Sequence, residues 1–531
     1  MFSGLLPLLL LPLASSTTAS DLQLIVSGVV SHAEFEEHRW TREDKHLVGS
    51  GIGQMLFSKH LVVTGSFHVE AELSIDRLGG TAAAVMLNED SMFGLDGVDG
   101  RMFVNGHMFG GQLRFVSKQA APIRAGEPFS LSITRNGDGP VQIAIDDVPV
   151  FRFKHSGTIG PFGFSPWKST LRIASLSLHG RLKRTQAIPS SIDLYKPDEH
   201  YATYRVPVLL RTEQDSVLAF AEGRDGLAEL AGNDIVVRRS SDGGATFGEV
   251  ELVAEDGGNS LTNPCVVDLP GAGELLLMFQ RYPLGVLPSE IEATPGPSSC
   301  RTFLTRSKDE GRSWSKARDM TRTLRWRDEV TTMATGPGIG VVLRHGEHAG
   351  RVLMPINQGP IGAWHVFAAY SDDAGQNWEL GAPAPVNANT RATELQFVEL
   401  HDGRVLLNAR SVGKIHQRLE SISDDGGQNW SRLRPIAAMP DPPCSASLLR
   451  YADPTDTSPG LILFANPATR FGRRLGSLYA STDEGESWTM TRRIQRGWFG
   501  YCSLARLPDD RIGCLYEADA GRTIRLARID P

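Results

Sequence analysis

At 531 residues, with 22% charged and 41% apolar side chains, the chain exceeds the usual size of one hydrophobic core, which predicts at least two globular domains rather than a disordered or fibrous polymer. A formal net charge of −7 leaves no basic stripe able to neutralise a phosphate backbone, so nucleic acid is not an expected partner.

The first twenty residues, MFSGLLPLLLLPLASSTTAS, join a leucine-rich run to small residues ending in Thr18-Ala19-Ser20. That is the pattern of a signal peptide over 1–20, without its basic start, and it predicts a secreted or periplasmic protein. The run is too short to span a bilayer and no later segment is apolar for long enough, so no membrane span is expected. The cysteines Cys265, Cys300, Cys444, Cys502 and Cys514 are an odd number without metal-ligand spacing. They predict neither a disulfide framework nor a metal site and read as small buried hydrophobes.

From 21 to 185 the chain reads as short strands: FHVEAELSI, GTAAAVML, RMFVNG, FSLSITRNG, VQIAIDDVPVFRF and TLRIASLSLHG. Period-two alternation, β-branched content and turn pairs such as Asn136-Gly137 predict an all-β sandwich. The region resembles concanavalin-like or laminin-G-like lectin modules, which implies either a glycan-binding role or a spacer. The polar stretch RLKRTQAIPSS marks a linker, placed at 186–194.

A repeat follows over 195–531. Ser-x-Asp-x-Gly-x-x-Trp occurs at Ser307, Asp309, Gly311, Trp314; at Ser371, Asp373, Gly375, Trp378; at Ser423, Asp425, Gly427, Trp430; and at Ser481, Asp483, Gly485, Trp488. A fifth copy, Ser240, Asp242, Gly244, ends in Phe247. The Asp can accept hydrogen bonds from turn N–H groups, the Gly can take φ > 0, and the ring packs between strands. Copies spaced by roughly the length of a four-stranded blade predict a β-propeller with room for about six blades.

These repeats resemble the Asp boxes, or BNR repeats, of sialidases. Such turns fix a fold and not an activity, since they also occur in non-enzymatic propellers. The resemblance runs from about residue 195 to 530 and includes Asn263-Pro264-Cys265, the TGPGIG loop at Thr335–Gly340 and PPCSASLLR. It implies a six-bladed propeller, hydrolysis of terminal sialic acids with retention, no cofactor, and sialylated glycoproteins, glycolipids or oligosaccharides as partners.

Sialic acid carries a carboxylate on its anomeric carbon, and arginine is suited to clamp it because its planar fork meets carboxylate bidentately. By resemblance, Arg205 in Tyr204-Arg205-Val206-Pro207, Arg410 in LNARS and Arg473 in RRLGSLYAS form the family's arginine triad, with Arg474 as the alternative to Arg473. Glu517, ending CLYE, resembles the carboxylate that holds the first arginine. The substrate's charge disfavours a carboxylate nucleophile, and sialidases use tyrosine. Tyr501 in GWFGYCSLARLPDD matches that nucleophile and Glu394 in ATELQFVELHDG its base, which a phenol of pKa about 10 requires. The general acid falls, by ungapped spacing after Ala-Glu-x-Arg with Arg224 at its corner, on Glu229 where the family has aspartate. Asp225 and Asp234 stand nearby as alternatives. Two other activities share these residues: sialyl transfer or anhydro-product release, and, if Glu229 fails as an acid, a sialic-acid-binding lectin without turnover.

Overall fold

Phe129–Arg135 shows why the first region folds as sheet: Phe129, Leu131 and Ile133 are buried while Ser130, Ser132 and Thr134 are turned outward, the alternation a half-buried strand imposes. The structure, a computed structural model, describes residues 18–531 apart from 31–39, 52–53, 59–60, 112, 121, 185–187, 272, 287–289, 294–297, 361 and 388–389. The expected signal peptide lies outside the described residues up to 17, and its last three residues open the strand Thr18–Val26. The chain divides into two compact units, with the boundary between Ile188 and Pro189.

In the first unit Val148–Phe153, Val141–Ile145, Phe129–Arg135, Leu61–Ile75, Thr170–Arg184 and Thr18–Val26 lie side by side in one sheet. A second sheet runs Arg114–Ala120, Arg101–Asn105, Met92–Asp96, Ala83–Met86, Gly163–Ser165 and Leu56–Phe57. Val69, Leu131, Ile143 and Leu176 of the first share one core with Val85, Phe93, Val104 and Phe164 of the second. VQIAIDDVPVFRF is two strands and not one, because Asp146 and Asp147 take φ of 47° and 63° and turn the chain back on itself.

The second unit holds six successive sheets of mainly antiparallel strands, the arrangement of a β-propeller. Sheet I comprises Thr203–Arg211, Val217–Arg224, Asn233–Ser240 and Glu251–Ala254; sheet II, Ser260–Leu269, Glu274–Tyr282, Arg301–Ser307 and Arg318–Asp319, with Gly338–Ile339 added in parallel. Sheet III comprises Thr332–Thr335, Val352–Gly359, His365–Ser371 and Glu379–Leu380, and sheet IV, Ala392–Glu399, Val405–Ser411, Gln417–Ser423 and Arg434–Pro440. Sheet V is Ser447–Ala452, Leu461–Pro467, Arg474–Ser481 and Thr489–Trp498. Sheet VI takes Cys502–Arg506, Ile512–Ala518 and Thr523–Ile529 from the end of the unit and Ser191–Tyr195 from its start, a strand whose first four residues fall in the stretch expected to be linker. Among the described residues the one α-helix is the single turn Thr321–Leu324.

Each sheet buries its faces against its neighbours. Leu218 and Leu277 share a core between I and II, Met278 and Met354 between II and III, and Leu353 and Leu407 between III and IV. Leu406 and Phe464 pack between IV and V, Leu463 and Cys514 between V and VI, and Leu515 and Leu209 between VI and I. The five cysteines are free and buried.

All five Asp boxes lie where the third strand of sheets I to V ends. In each, the Ser hydroxyl donates to the Asp and accepts the Gly N–H, as for Ser307 with Asp309 and Gly311 at 2.8 and 2.7 Å. The Asp accepts from the residue four positions on, Ser313 N–H to Asp309 at 2.9 Å. These donors lower the Asp309 and Asp373 carboxyls to about 2, side-chain Ser313 first for Asp309 and the Asn377 N–H first for Asp373.

Candidate active site

Three first strands are broken at the same end. Sheets I, II and IV carry β-bulges between Arg205 and Val208, Thr262 and Cys265, and Thr393 and Leu395. Val206, Asn263 and Glu394 there take φ of 53°, 50° and 41°, a region that costs a non-glycine residue on the order of 1 kcal/mol or more and that clusters at working sites. The bulges turn side chains out of the pleat into a cleft of about 600 Å³.

Arg205, Arg410 and Arg473, from sheets I, IV and V, line this cleft with Glu394, Tyr501, Arg224 and Glu229. Arg205 Nε and Nη2 donate to Glu517 at 2.6 and 3.2 Å. The same carboxylate accepts the N–H groups of Val206 at 3.0 Å and Tyr501 at 3.1 Å. Burial works to raise the Glu517 pKa, but the Arg205 charge and hydrogen bond, with Arg473 beyond, hold it below the ordinary value. Glu517 thus fixes both the first arginine and the backbone of Tyr501.

The Tyr501 hydroxyl donates to Glu394 Oε1 in a short hydrogen bond. Arg410 Nη1 donates to Glu394 Oε2 at 2.6 Å and to the Tyr501 oxygen at 3.2 Å. Burial first, and the Glu394 charge second, raise the phenol well above its usual pKa against the pull of Arg410 and Arg473. The phenol therefore holds its proton at neutral pH, with the Glu394 carboxylate as its acceptor. Arg410 Nε is buried without a hydrogen-bond partner, a donor open to an anion.

Arg473 lies 4.9 Å over the Tyr501 ring and donates to the Pro443 carbonyl at 3.0 Å. Arg474 begins the strand Arg474–Ser481 opposite Trp498 and does not line the cleft. The two alternatives for the acid are also elsewhere. Asp234 accepts the Tyr201 hydroxyl at 2.8 Å, and neither it nor Asp225 lines the cleft. Glu229 lines it from an exposed loop, its carbonyl held by Asn233 Nδ2 at 2.8 Å.

Glu222 escaped the sequence reading as a site residue, although it is the Glu of Ala-Glu-x-Arg. It is fully buried, binds Arg224 through both Nε, at 2.9 Å, and Nη2, and accepts the Asn263 N–H at 2.7 Å. Burial raises its pKa, opposed by Arg224. Arg224 Nη1 in turn reaches the Ala228 carbonyl at 3.3 Å, next to Glu229. Tyr282, Asn357 and Trp364 also line the cleft and carry no motif that could have marked them. Among the described residues no group of three or more His, Cys, Asp or Glu could hold a metal ion.

The BNR repeat-like domain family matches residues 215–514. The sialidase of Micromonospora viridifaciens is 31% identical over 341 residues, 61% of this chain and 51% of that protein. Human sialidase-4 is 29% identical over 295 residues, 51% of this chain and 59% of its own length. The chain belongs to the sialidase family with BNR repeats. It spans little more than half the length of these two sialidases. A solved structure of the Hadza microbial sialidase Hz136 shares the fold, with a TM-score of 0.59 at 20% identity, covering 91% of this chain and 95% of that one.

Proposed function

We propose that the chain is a retaining exo-α-sialidase, a glycoside hydrolase acting on terminal sialic acids of glycoproteins, glycolipids or oligosaccharides. The observation that carries this reading is the Tyr501–Glu394–Arg410 cluster: a half-buried phenol hydrogen-bonded to a carboxylate that is itself bound by a clamp arginine. Arg205, Arg410 and Arg473 bind the substrate carboxylate. Glu229 gives a proton to the leaving glycosidic oxygen as that bond to the anomeric carbon breaks. Tyr501 passes its proton to Glu394 and its oxygen bonds to the anomeric carbon, forming a sialyl-tyrosine. Water, losing a proton to Glu229, then displaces the tyrosine oxygen from the opposite side, and Glu394 returns the proton to it.

The six sheets with their ring of shared cores support a six-bladed propeller, and the two sheets of the first unit support a lectin-like sandwich before it. The leucine-rich start supports export. NMR of the first product released from a sialoside tests the mechanism: retained α-sialic acid is expected, and inverted product rejects it. A sialylated acceptor or an anhydro sugar as sole product would redirect the assignment to transfer.

A further inference from the structure

Glu222 is a buried carboxylate in the cleft wall to which the proposed chemistry gives no task. Its side chain is 0% exposed and that of its partner Arg224 4%. A pair shut away this completely returns little net stability against an apolar filling of the same volume. Its effect lies in what it holds.

The two Glu222 oxygens serve two segments. Oε2 accepts Arg224 Nε at 2.9 Å and Nη2 in a shorter bond, and Oε1 accepts the Asn263 N–H at 2.7 Å, at the bulge of sheet II. Bound this way the planar guanidinium is fixed in orientation, and its remaining nitrogen, Nη1, donates to the Ala228 carbonyl at 3.3 Å. Ala228 immediately precedes Glu229 in the stretch 225–232, which contains neither strand nor helix and leaves Leu227, Ala228 and Glu229 exposed in a row.

Beyond Glu229 the stretch is held again. Asn233 Nδ2 donates to the Glu229 carbonyl at 2.8 Å, Asn233 Oδ1 accepts the Ala231 N–H at 3.2 Å, and Ser260 Oγ accepts the Gly232 N–H at 3.1 Å. The two peptide groups that flank the Glu229 Cα are therefore held separately, one by Arg224 and one by Asn233. Because each peptide is planar, fixing both sets the direction in which the Glu229 side chain leaves the backbone.

We infer that Glu222 is a positioning residue for the general acid: acting through Arg224, it fixes the peptide before Glu229 and so keeps that side chain in the cleft wall. The inference rests on the sialidase reading with Glu229 as its acid. A carboxyl displaced by about an ångström loses on the order of a hundredfold in rate. The loss falls on proton transfer, so it shows where the leaving group needs a proton and fades where it does not.

The test measures kcat/KM on sialyl-lactose and on an activated aryl sialoside for the wild-type chain, Glu222→Gln, Glu229→Gln and the double variant. Glutamine keeps the shape of Glu222 and an acceptor for the Asn263 N–H but gives up the charge that binds Arg224. Glu222→Gln is expected to lower kcat/KM about 30-fold on sialyl-lactose and less than about threefold on the aryl sialoside. In the Glu229→Gln background it should cost less than about twofold on sialyl-lactose, since the carboxyl it positions is gone. Glu222→Asp, which keeps the buried charge, should give the same split at a smaller size and carries the test if the glutamine variant does not fold, with unfolding midpoints checking each chain. Equal losses on the two substrates, additive losses in the double variant, or unchanged kinetics overturn the inference. No turnover of either substrate by the wild-type chain sinks the sialidase reading itself.

Discussion

Carboxylates organise both the five outer turns and the cleft, but they are held by different partners. At the turns Asp242, Asp309, Asp373, Asp425 and Asp483 are satisfied by hydroxyls, amides and backbone N–H groups within four residues of sequence. In the cleft Glu222, Glu394 and Glu517 face arginines, and two of these pairs join opposite ends of the unit or neighbouring strands of one sheet: Arg205 with Glu517, Arg410 with Glu394. A locally satisfied carboxylate shapes a turn and can be lost with modest damage. A buried charge pair holds a cation in place for something else, and half of it cannot be removed cheaply.

The largest break in this comparison should come from Tyr501→Phe. Deleting one hydroxyl leaves the arginines and their carboxylates paired, so kcat on a sialoside should fall on the order of 10³-fold or more while affinity for a sialic acid analogue stays within about threefold. Steady-state kinetics with calorimetric binding checks this, and wild-type turnover would remove Tyr501 from the mechanism.

Glu517→Gln should come next, since it strands Arg205 and withdraws the acceptor of the Tyr501 N–H. Loss of one partner from a buried pair predicts about 3 kcal/mol of lost stability in chemical denaturation. An unchanged midpoint would mean that Arg205 finds another partner.

Glu229→Gln should slow a natural sialyl-sugar about 100-fold but an activated aryl sialoside less than about tenfold, because only the poor leaving group needs its proton. Equal losses on both substrates would exclude Glu229 as the acid.

The smallest effect belongs to the outer turns. Asp309→Ala should cost about 1 kcal/mol, the scale of a lost cap, with kcat intact. Asp309 also sets a pH window. Its folded pKa of about 2 lies below the ordinary 3.8, so its contribution is present above pH 3.8 and lost as pH falls toward 2. The wild-type chain should lose more stability than the variant across that interval in an acid titration of the unfolding midpoint.

The outer turns were legible because each is written in eight consecutive residues whose chemistry is local. The cleft was legible only through resemblance, and incompletely. Arg473 and Arg474 could not be separated by counting, since Leu475 takes φ of 58° and the register with Thr489–Trp498 shifts beside it. Glu222 lay in plain view within AEGR, but nothing local says that its burial and its bond to the Asn263 N–H make it a support for two sides of the cleft. The bulges at Val206, Asn263 and Glu394 fall on non-glycine residues and leave no compositional trace. In the first unit, the Asp146-Asp147 turn was read through because acidic pairs are weaker turn signals than Asn-Gly or Asp-Gly.

Sheet VI pairs residue 191 with 527 and residue 195 with 524, and the same sheet begins one residue after Tyr501. Until that outer strand docks, Thr523–Ile529 is an open edge offering its unpaired backbone to any passing strand. Contacts of such sequence separation form late, because the loop they close carries the greatest entropy cost. Docking of Ser191–Tyr195 therefore completes the sheet that starts beside Tyr501 and covers the open edge of Thr523–Ile529 in one step.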